Sequence, residues 1–99
     1  MHLLVVRGTV KPGEAAPFLA AADDYNAARL AAGVPAYRRL VRTDSGGNED
    51  YFFVAEFEDE AGIDHAEQLI DAGTFNDPLN RMYEHLVEGS VTAARLRDV

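Results

Sequence analysis

The chain has 99 residues, 47% of them hydrophobic and 26% charged, a composition typical of one folded domain over residues 1–99 and not of a disordered segment. It contains no cysteine, which excludes disulfides, thiolate nucleophiles and cysteine-bound metal sites. The net charge of −8 repels phosphate groups, so we expect neither nucleic acid nor a membrane surface as a partner. No run of about 20 apolar residues and no signal peptide is present, which predicts a cytoplasmic protein.

The first part of the chain predicts a strand, a helix and a second strand. Leu3–Val10 is rich in β-branched residues and apolar on both alternating faces, as in a buried strand. The alanine-rich stretch Ala15–Ala32 predicts a helix that ends at Gly33. Pro35 prevents the helix from resuming, and Ala36–Thr43 predicts a strand with an arginine-rich face.

The second part predicts a hairpin, two helices and a last strand. The acidic segment Asp44–Asp50 contains two glycines and has the turn chemistry of a hairpin. The elements predicted after it are the strand Tyr51–Phe57, a helix capped by Asp59 that runs to about Ala72, a short helix from Asp77-Pro78 to Gly89, and the strand Val91–Arg97.

This order predicts an α+β, ferredoxin-like β-α-β-β-α(α)-β fold, in which a four-stranded antiparallel sheet carries its helices on one face. Leu3–Val10 and Tyr51–Phe57 are apolar on both sides, so the other face also needs a cover. Leaving a large apolar side chain in water forgoes about 1.5 to 3 kcal/mol. We therefore predict a homodimer in which the open sheet faces of two subunits pack together.

Three segments carry a resemblance to a known superfamily. They are the Val10-Lys11-Pro12-Gly13 entry to the first helix, the strand Tyr51–Phe57 and the acidic exit Glu58-Asp59-Glu60. With the element order, they make the chain resemble the dimeric α/β-barrel superfamily, which includes NIPSNAP-like and antibiotic-biosynthesis-monooxygenase-like proteins. The resemblance implies a dimer with one small-molecule pocket per subunit between sheet and helices.

The resemblance also implies a range of functions. Its members include cofactor-independent oxygenases, haem-degrading enzymes, polyketide-tailoring enzymes and proteins of unknown role. We expect an oxygenase, cyclase or isomerase that needs no metal or organic cofactor and acts on a mid-sized, aromatic or polyketide-like metabolite. The alternative is a non-catalytic dimeric module that binds a small molecule or serves in assembly, because a fold alone does not fix a function.

Polar residues in the apolar stripe of the first helix are candidates for chemistry. Asn26 and Arg29 share the face of Phe18 and Ala22, with Tyr25 at its edge. In a cavity, Asn26 would orient an oxygenated ligand, Arg29 would stabilise an oxyanion and Tyr25 would contact the substrate. The alternative is that the helix end leaves the core and Arg29 extends its charge into water.

Two histidines are weaker candidates. His65 lies beside the apolar stripe of the second helix, from which it could move a proton at a pocket rim, although a surface position is the more common one. His85 and Glu88 have a spacing that could present two ligands to a metal, but two ligands are weak evidence and we predict a solvated face.

Tyrosines and arginines on the strands complete the candidates. Tyr37, Tyr51 and Tyr83 are potential hydroxyl donors in a cavity, and we expect Tyr51 and Tyr83 to bind substrate; ordinary core or interface packing also explains each of the three. Arg38 could bind an anionic group of the substrate. Arg38 and Arg42 share one face of their strand and Arg39 lies on the other, so we expect at least one ion pair, with a carboxylate such as Glu56.

Overall fold

A computed structural model describes all 99 residues. The elements in chain order are β1 (His2–Val10), α1 (Ala15–Ala31), β2 (Arg38–Thr43), β3 (Glu49–Phe57), α2 (Glu60–Asp71), α3 (Asn76–Tyr83) and β4 (Thr92–Arg97). None of the three helices is long and apolar enough to cross a membrane. The β-α-β-β-α-α-β order confirms the predicted ferredoxin-like α+β fold.

The four strands form one antiparallel sheet in the order β2-β3-β1-β4. The two most apolar strands therefore lie at its centre, where each strand has a neighbour on both sides and one face is covered by the helices. Pairing of Val6 with Phe53 on β3 and with Ala93 on β4 sets the register on the helix side. The predicted pairing of the first and last segments is confirmed.

The main core lies between the sheet and the helices. Aromatic contacts run along it, with Phe18 of α1 packed against Tyr51 and Phe53 of β3 at ring-centroid distances of 5.2 and 5.8 Å. The fully or nearly fully buried side chains of this layer include Leu4, Val10, Phe18, Ala21, Ala22, Tyr25, Phe53, Ala55, Ile63, Ala66 and Phe75. This packing fixes the helices on one face only.

The helix ends follow local chemistry. Asp59 caps α2 as predicted, since its Oδ1 accepts a hydrogen bond of 2.9 Å from the Gly62 amide. The helix α1 ends before Gly33, whose φ of +78° lets the Val34 amide turn back to the Arg29 carbonyl at 3.0 Å. The helix α3 departs from prediction: it begins at Asn76, with Phe75 and not Asp77 at its N-cap, and ends at Tyr83.

The segment after α3 is not the continuation of a helix to Gly89 that the sequence predicts. It pairs instead with the end of β1, where the Val87 amide donates to the Thr9 carbonyl at 2.8 Å. Leu86 forms an isolated bridge with Val10 and lies over Gly8, where a Cβ atom would come within 3.1 Å of Leu86 Cδ2. The segment thus forms a wall beside the central strand.

The opposite, helix-free sheet face carries apolar and charged groups side by side. Leu40 and Leu96 are 46% and 51% exposed, and the register places them on the same face as Val5 and Phe52. The charged group is centred on Asp50, which accepts hydrogen bonds from Thr9, Arg42 and Arg7 at 2.6, 2.9 and 3.0 Å.

The strand arginines form ion pairs, as expected, but not with Glu56. Arg42 pairs with Asp50 of the neighbouring strand, while Arg39 reaches Asp23 of α1 at 2.6 Å. The partner differs because register places Arg42 directly opposite Asp50.

Candidate functional site

A cavity of about 220 Å³ lies between the sheet and the helices. It is lined by 17 residues, of which 14 are hydrophobic. They are Leu4, Val6, Arg7, Gly8, Phe18, Tyr25, Tyr37, Tyr51, Phe53, Glu67, Ile70, Leu79, Met82, Tyr83, Leu86, Val91 and Ala93. A mainly apolar cavity with a few polar groups is typical of small-molecule sites in proteins.

All four tyrosines of the chain line this cavity. Tyr25, Tyr37 and Tyr51 are buried, whereas Tyr83 is 53% exposed and so lies at the opening. Burial raises the pKa of Tyr37 above its usual range, and burial together with Glu49 raises that of Tyr51. Both hydroxyls therefore stay protonated at neutral pH; the Tyr51 hydroxyl donates to Glu49 Oε2 at 3.4 Å, and the Tyr37 hydroxyl hydrogen-bonds with Tyr25.

Arg29 is fully buried behind the tyrosines. Its Nη1 donates to the Tyr25 hydroxyl at 3.1 Å and its Nε donates to the Pro35 carbonyl at 2.8 Å. The guanidinium carbon lies 4.1 Å from the centre of the Tyr37 ring, a cation–π distance. Arg29 does not extend into water, so the surface alternative for this residue is wrong.

Asn26 lies outside the cavity lining and is bonded to the backbone. Its Nδ2 donates to the Tyr37 carbonyl at 3.0 Å and its Oδ1 accepts from the Tyr37 amide at 2.8 Å. These bonds occupy the groups that the sequence prediction assigned to an oxygenated ligand. Asn26 holds Tyr37 in place and makes no contact with the cavity itself.

The remaining candidates are placed apart from one another. Tyr25, Tyr51 and Tyr83 line the cavity, whereas Arg38 is exposed on the helix-free face of β2 and does not line it. His65 is exposed on α2 and also lies outside the lining.

His85 is not on the solvated face that we predicted. Its Nδ1 lies 3.0 Å from Glu14 Oε1 and its side chain is 20% exposed, so it joins the end of α3 to the start of α1. Nowhere does the chain bring together three or more histidine, aspartate or glutamate side chains that could hold a metal ion.

The sequence prediction named Tyr37 as a potential hydroxyl donor in a cavity but left it out of the substrate-binding residues, and it missed Phe18, Phe53 and the wall formed by Leu86 and Val91. A signal for Tyr37 was present. Arg39 pairs with Phe53 on the helix side of the sheet, so extending the strand alternation back by two residues directs Tyr37 to the same side. The wall had no such signal, because it depends on the long-range pairing of Val87 with Thr9.

The only charged side chain that α2 brings to the lining is Glu67, and it is neutralised. Arg95 of β4 donates to Glu67 at 2.8 Å and also pairs with Asp64 at 2.9 Å. Arg7, the other charged residue of the lining, directs its guanidinium to Asp50 at 3.0 Å on the opposite sheet face. The polar part of the cavity is therefore dominated by tyrosine hydroxyls, with the Arg29 charge behind them.

Comparison with known proteins finds the same fold in several solved structures. A crystal structure of an antibiotic biosynthesis monooxygenase aligns with a TM-score of 0.73 and 17% identity over 100% of this chain and 99% of its own. A protein from Agrobacterium tumefaciens aligns with a TM-score of 0.74 and 9% identity, covering 100% of this chain and 94% of the other. An uncharacterized NIPSNAP domain protein from Burkholderia xenovorans gives 0.69 and 15%, with 100% and 95% covered.

No protein-family model matches the sequence, and neither does any curated protein. At these low identities the likeness concerns the fold. The resemblance to antibiotic-biosynthesis-monooxygenase-like and NIPSNAP-like proteins, first indicated by three short segments of the sequence, is confirmed at that level: this chain has the ferredoxin-like α+β fold of those structures.

Proposed function

We propose that this protein binds a mid-sized, mainly apolar aromatic metabolite in the cavity between sheet and helices, and that it acts on this metabolite as an oxygenase, cyclase or isomerase without a metal or organic cofactor. The observation that carries the proposal is the convergence of all four tyrosines on one mainly apolar cavity. Aromatic walls suit an aromatic ligand, and hydroxyls suit its oxygen substituents.

Two observations support a catalytic role. One is the fold, which is shared with a structure named as an antibiotic biosynthesis monooxygenase. The other is the buried Arg29 charge bonded to the Tyr25 hydroxyl, because a donor polarised in this way stabilises negative charge that develops on a substrate oxygen. In this scheme Tyr25 contacts the substrate and Arg29 acts through it.

A second candidate is a binding module without catalysis. It is favoured by the absence of any histidine from the cavity lining and by the ion pair between Glu67 and Arg95, which together leave no free general base there. His65 would act only if a ligand reached the surface of α2.

Calorimetric titration with a panel of aromatic ketones, quinones and phenols tests the binding. We expect saturable, one-to-one binding of at least one class, and Ala93→Phe should weaken it by adding a ring at an exposed residue of the cavity lining. The matched control is Ala27→Phe, which adds the same ring at an exposed position of α1 and should leave binding unchanged. Equal binding by both variants would place the ligand elsewhere.

Turnover then separates the two candidates. Incubating a bound ligand with the protein in air, followed by mass spectrometry, should show a product that gains oxygen or is an isomer of the ligand. Tight binding with no product over many hours would favour the binding module.

We also propose that the helix-free sheet face is covered by the same face of a second copy. Exposed Leu40 and Leu96 and the adjacent Val54 support this, because a solvated face should alternate with polar residues. Light scattering after size exclusion should give about twice the chain mass, and Val54→Glu should give one chain mass. A monomer in the unsubstituted protein would overturn this assembly.

A further inference from the structure

Arg29 is a buried cation that no carboxylate neutralises. It has no exposed surface, and its partners are a carbonyl, a hydroxyl and two aromatic rings. Its Nη2 is buried without any hydrogen-bond partner. The two exposed arginines on the helix side of the sheet differ, since Arg39 pairs with Asp23 and Arg95 with Asp64 and Glu67.

An unneutralised buried charge is costly, so it calls for a reason other than stability. The C-terminal end of α1 has partial negative charge and offsets part of the cost. The remaining positive potential is directed at the cavity through two tyrosines. Arg29 donates to the Tyr25 hydroxyl, and its charge lowers the pKa of Tyr37 against the larger effect of burial.

We propose that the ligand of this cavity carries an anionic oxygen, supplied by a carboxylate or a phenolate, and that Tyr25 binds this oxygen while Arg29 neutralises it from behind. The inference rests on the proposed binding function and narrows its ligand class. The Tyr25 oxygen accepts from Arg29, and the Tyr37 hydroxyl also hydrogen-bonds with Tyr25, so a ligand oxygen that takes the Tyr25 proton would join a chain of bonds that strengthen each other.

The charges around this end of the cavity favour the assignment. Glu67 of α2 is the one carboxylate residue of the lining, and Arg95 pairs with it at 2.8 Å. Glu49 of β3 accepts a hydrogen bond from the Tyr51 hydroxyl at 3.4 Å. The overall charge of −8 opposes the approach of an anion but is screened by salt over about 8 Å at physiological ionic strength.

A pair of ligands of equal shape tests the proposal. By calorimetry at neutral pH, 2-naphthoate should bind at least tenfold more tightly than 2-naphthamide, which has the same ring and no charge. Equal binding of the two would overturn the anion proposal and leave the binding function standing. Failure of both to bind would count against the anion proposal, and the panel of neutral ligands would then decide the binding function on its own.

Two variants locate the origin of the preference. Arg29→Met should remove the preference for naphthoate. The matched control is Arg39→Met, which removes the same guanidinium group from an exposed position and should retain the preference. If Arg29→Met does not fold, Tyr25→Phe keeps the buried charge and the ring but lacks the donating hydroxyl, and the preference should fall severalfold. A preference that survives in Tyr25→Phe would overturn the assignment.

A third ligand separates the two sources of an anionic oxygen. Binding of 2-naphthol should tighten as the pH rises through its own ionisation if the site accepts phenolates. Tight binding of naphthoate without that gain assigns the site to carboxylates. Weaker binding of naphthol after ionisation, together with weak naphthoate binding, would contradict the proposal.

Discussion

Asn26 holds the backbone of Tyr37 at both of its polar groups, with the amide donating at 2.8 Å and the carbonyl accepting at 3.0 Å. The pair joins the middle of α1 to the residue just before β2. Tyr37 in turn contacts Phe53 at 5.7 Å and Tyr25 at 5.8 Å between ring centroids. The position of one cavity wall therefore depends on a side chain that never touches the cavity.

Asn26→Ala should lower the free energy of unfolding by about 2 kcal/mol, because it leaves two partly buried backbone groups of Tyr37 without partners. Denaturant unfolding followed by circular dichroism measures this loss. Asn80→Ala removes the same group from an exposed helix position and should change stability by less than about 0.5 kcal/mol. A similarly small loss of stability for Asn26→Ala would contradict a structural role for the two hydrogen bonds between Asn26 and Tyr37.

Tyr37 should make stability fall at alkaline pH. Its pKa is raised in the folded protein, so above the ordinary tyrosine pKa of about 10 the unfolded chain loses this proton more readily than the folded one. The contribution is fully present below that pH and is lost as the pH rises further. Urea unfolding between about pH 8 and 11 should show a steeper decline for the unsubstituted protein than for Tyr37→Phe. Parallel curves would show that Tyr37 ionises freely.

Asp50 should act in the opposite direction, at acid pH. The hydrogen bond from the Thr9 hydroxyl, followed by those from Arg42 and Arg7, lowers its pKa well below the usual range. Its contribution to stability is therefore full above the ordinary aspartate pKa of about 3.9 and is lost as the pH falls toward the folded-state value.

Asp50→Asn should accordingly be less stable than the parent at pH 7, and the gap should narrow as the pH drops below about 4. Thermal unfolding across this range measures the gap. Thr9→Val, which removes the first of the three donors, should show the same trend at smaller size. A gap that does not change with pH would rule out this account of Asp50.

Asp59→Ala should destabilise the protein by about 1 kcal/mol, since the Gly62 amide loses its capping acceptor at the start of α2. Chemical denaturation gives this value. Asp71→Ala at the other end of the same helix is the control. It removes a negative charge from the negative end of the helix dipole and should be neutral or slightly stabilising. Equal losses at both positions would indicate a general charge effect.

Most of the fold was predictable from the sequence, because the strands and the first two helices depend on patterns of neighbouring residues. Alternation in Tyr51–Phe57 and Leu3–Val10 predicted the central strands, which the structure extends to Glu49 and His2. The cap at Asp59 was recognisable because it depends only on the next three residues. The predicted end of the third helix was wrong for the opposite reason. Long-range pairing of Val87 with β1 overrides the local preference of this segment to continue as a helix.

The site was only partly predictable. The helical stripe identified Tyr25 and Arg29 as unusual residues. A rotation of 100° per residue predicted that Tyr25 lies at the edge of the apolar face. In the structure Tyr25 is a buried part of that face, with 3% of its surface exposed. Nor does periodicity show whether a polar side chain meets a ligand or a backbone. Asn26 meets the backbone of Tyr37, a residue eleven positions away across the α1–β2 connection.

The most direct test of the central claim is nuclear magnetic resonance of the protein with labelled tyrosine and phenylalanine rings during titration with an aromatic ligand. The account predicts saturable shifts of the buried Tyr25, Tyr37 and Tyr51 rings, while the ring of Phe52, on the helix-free face, stays in place. Shifts confined to Phe52, with those three tyrosines unmoved at saturation, would contradict it.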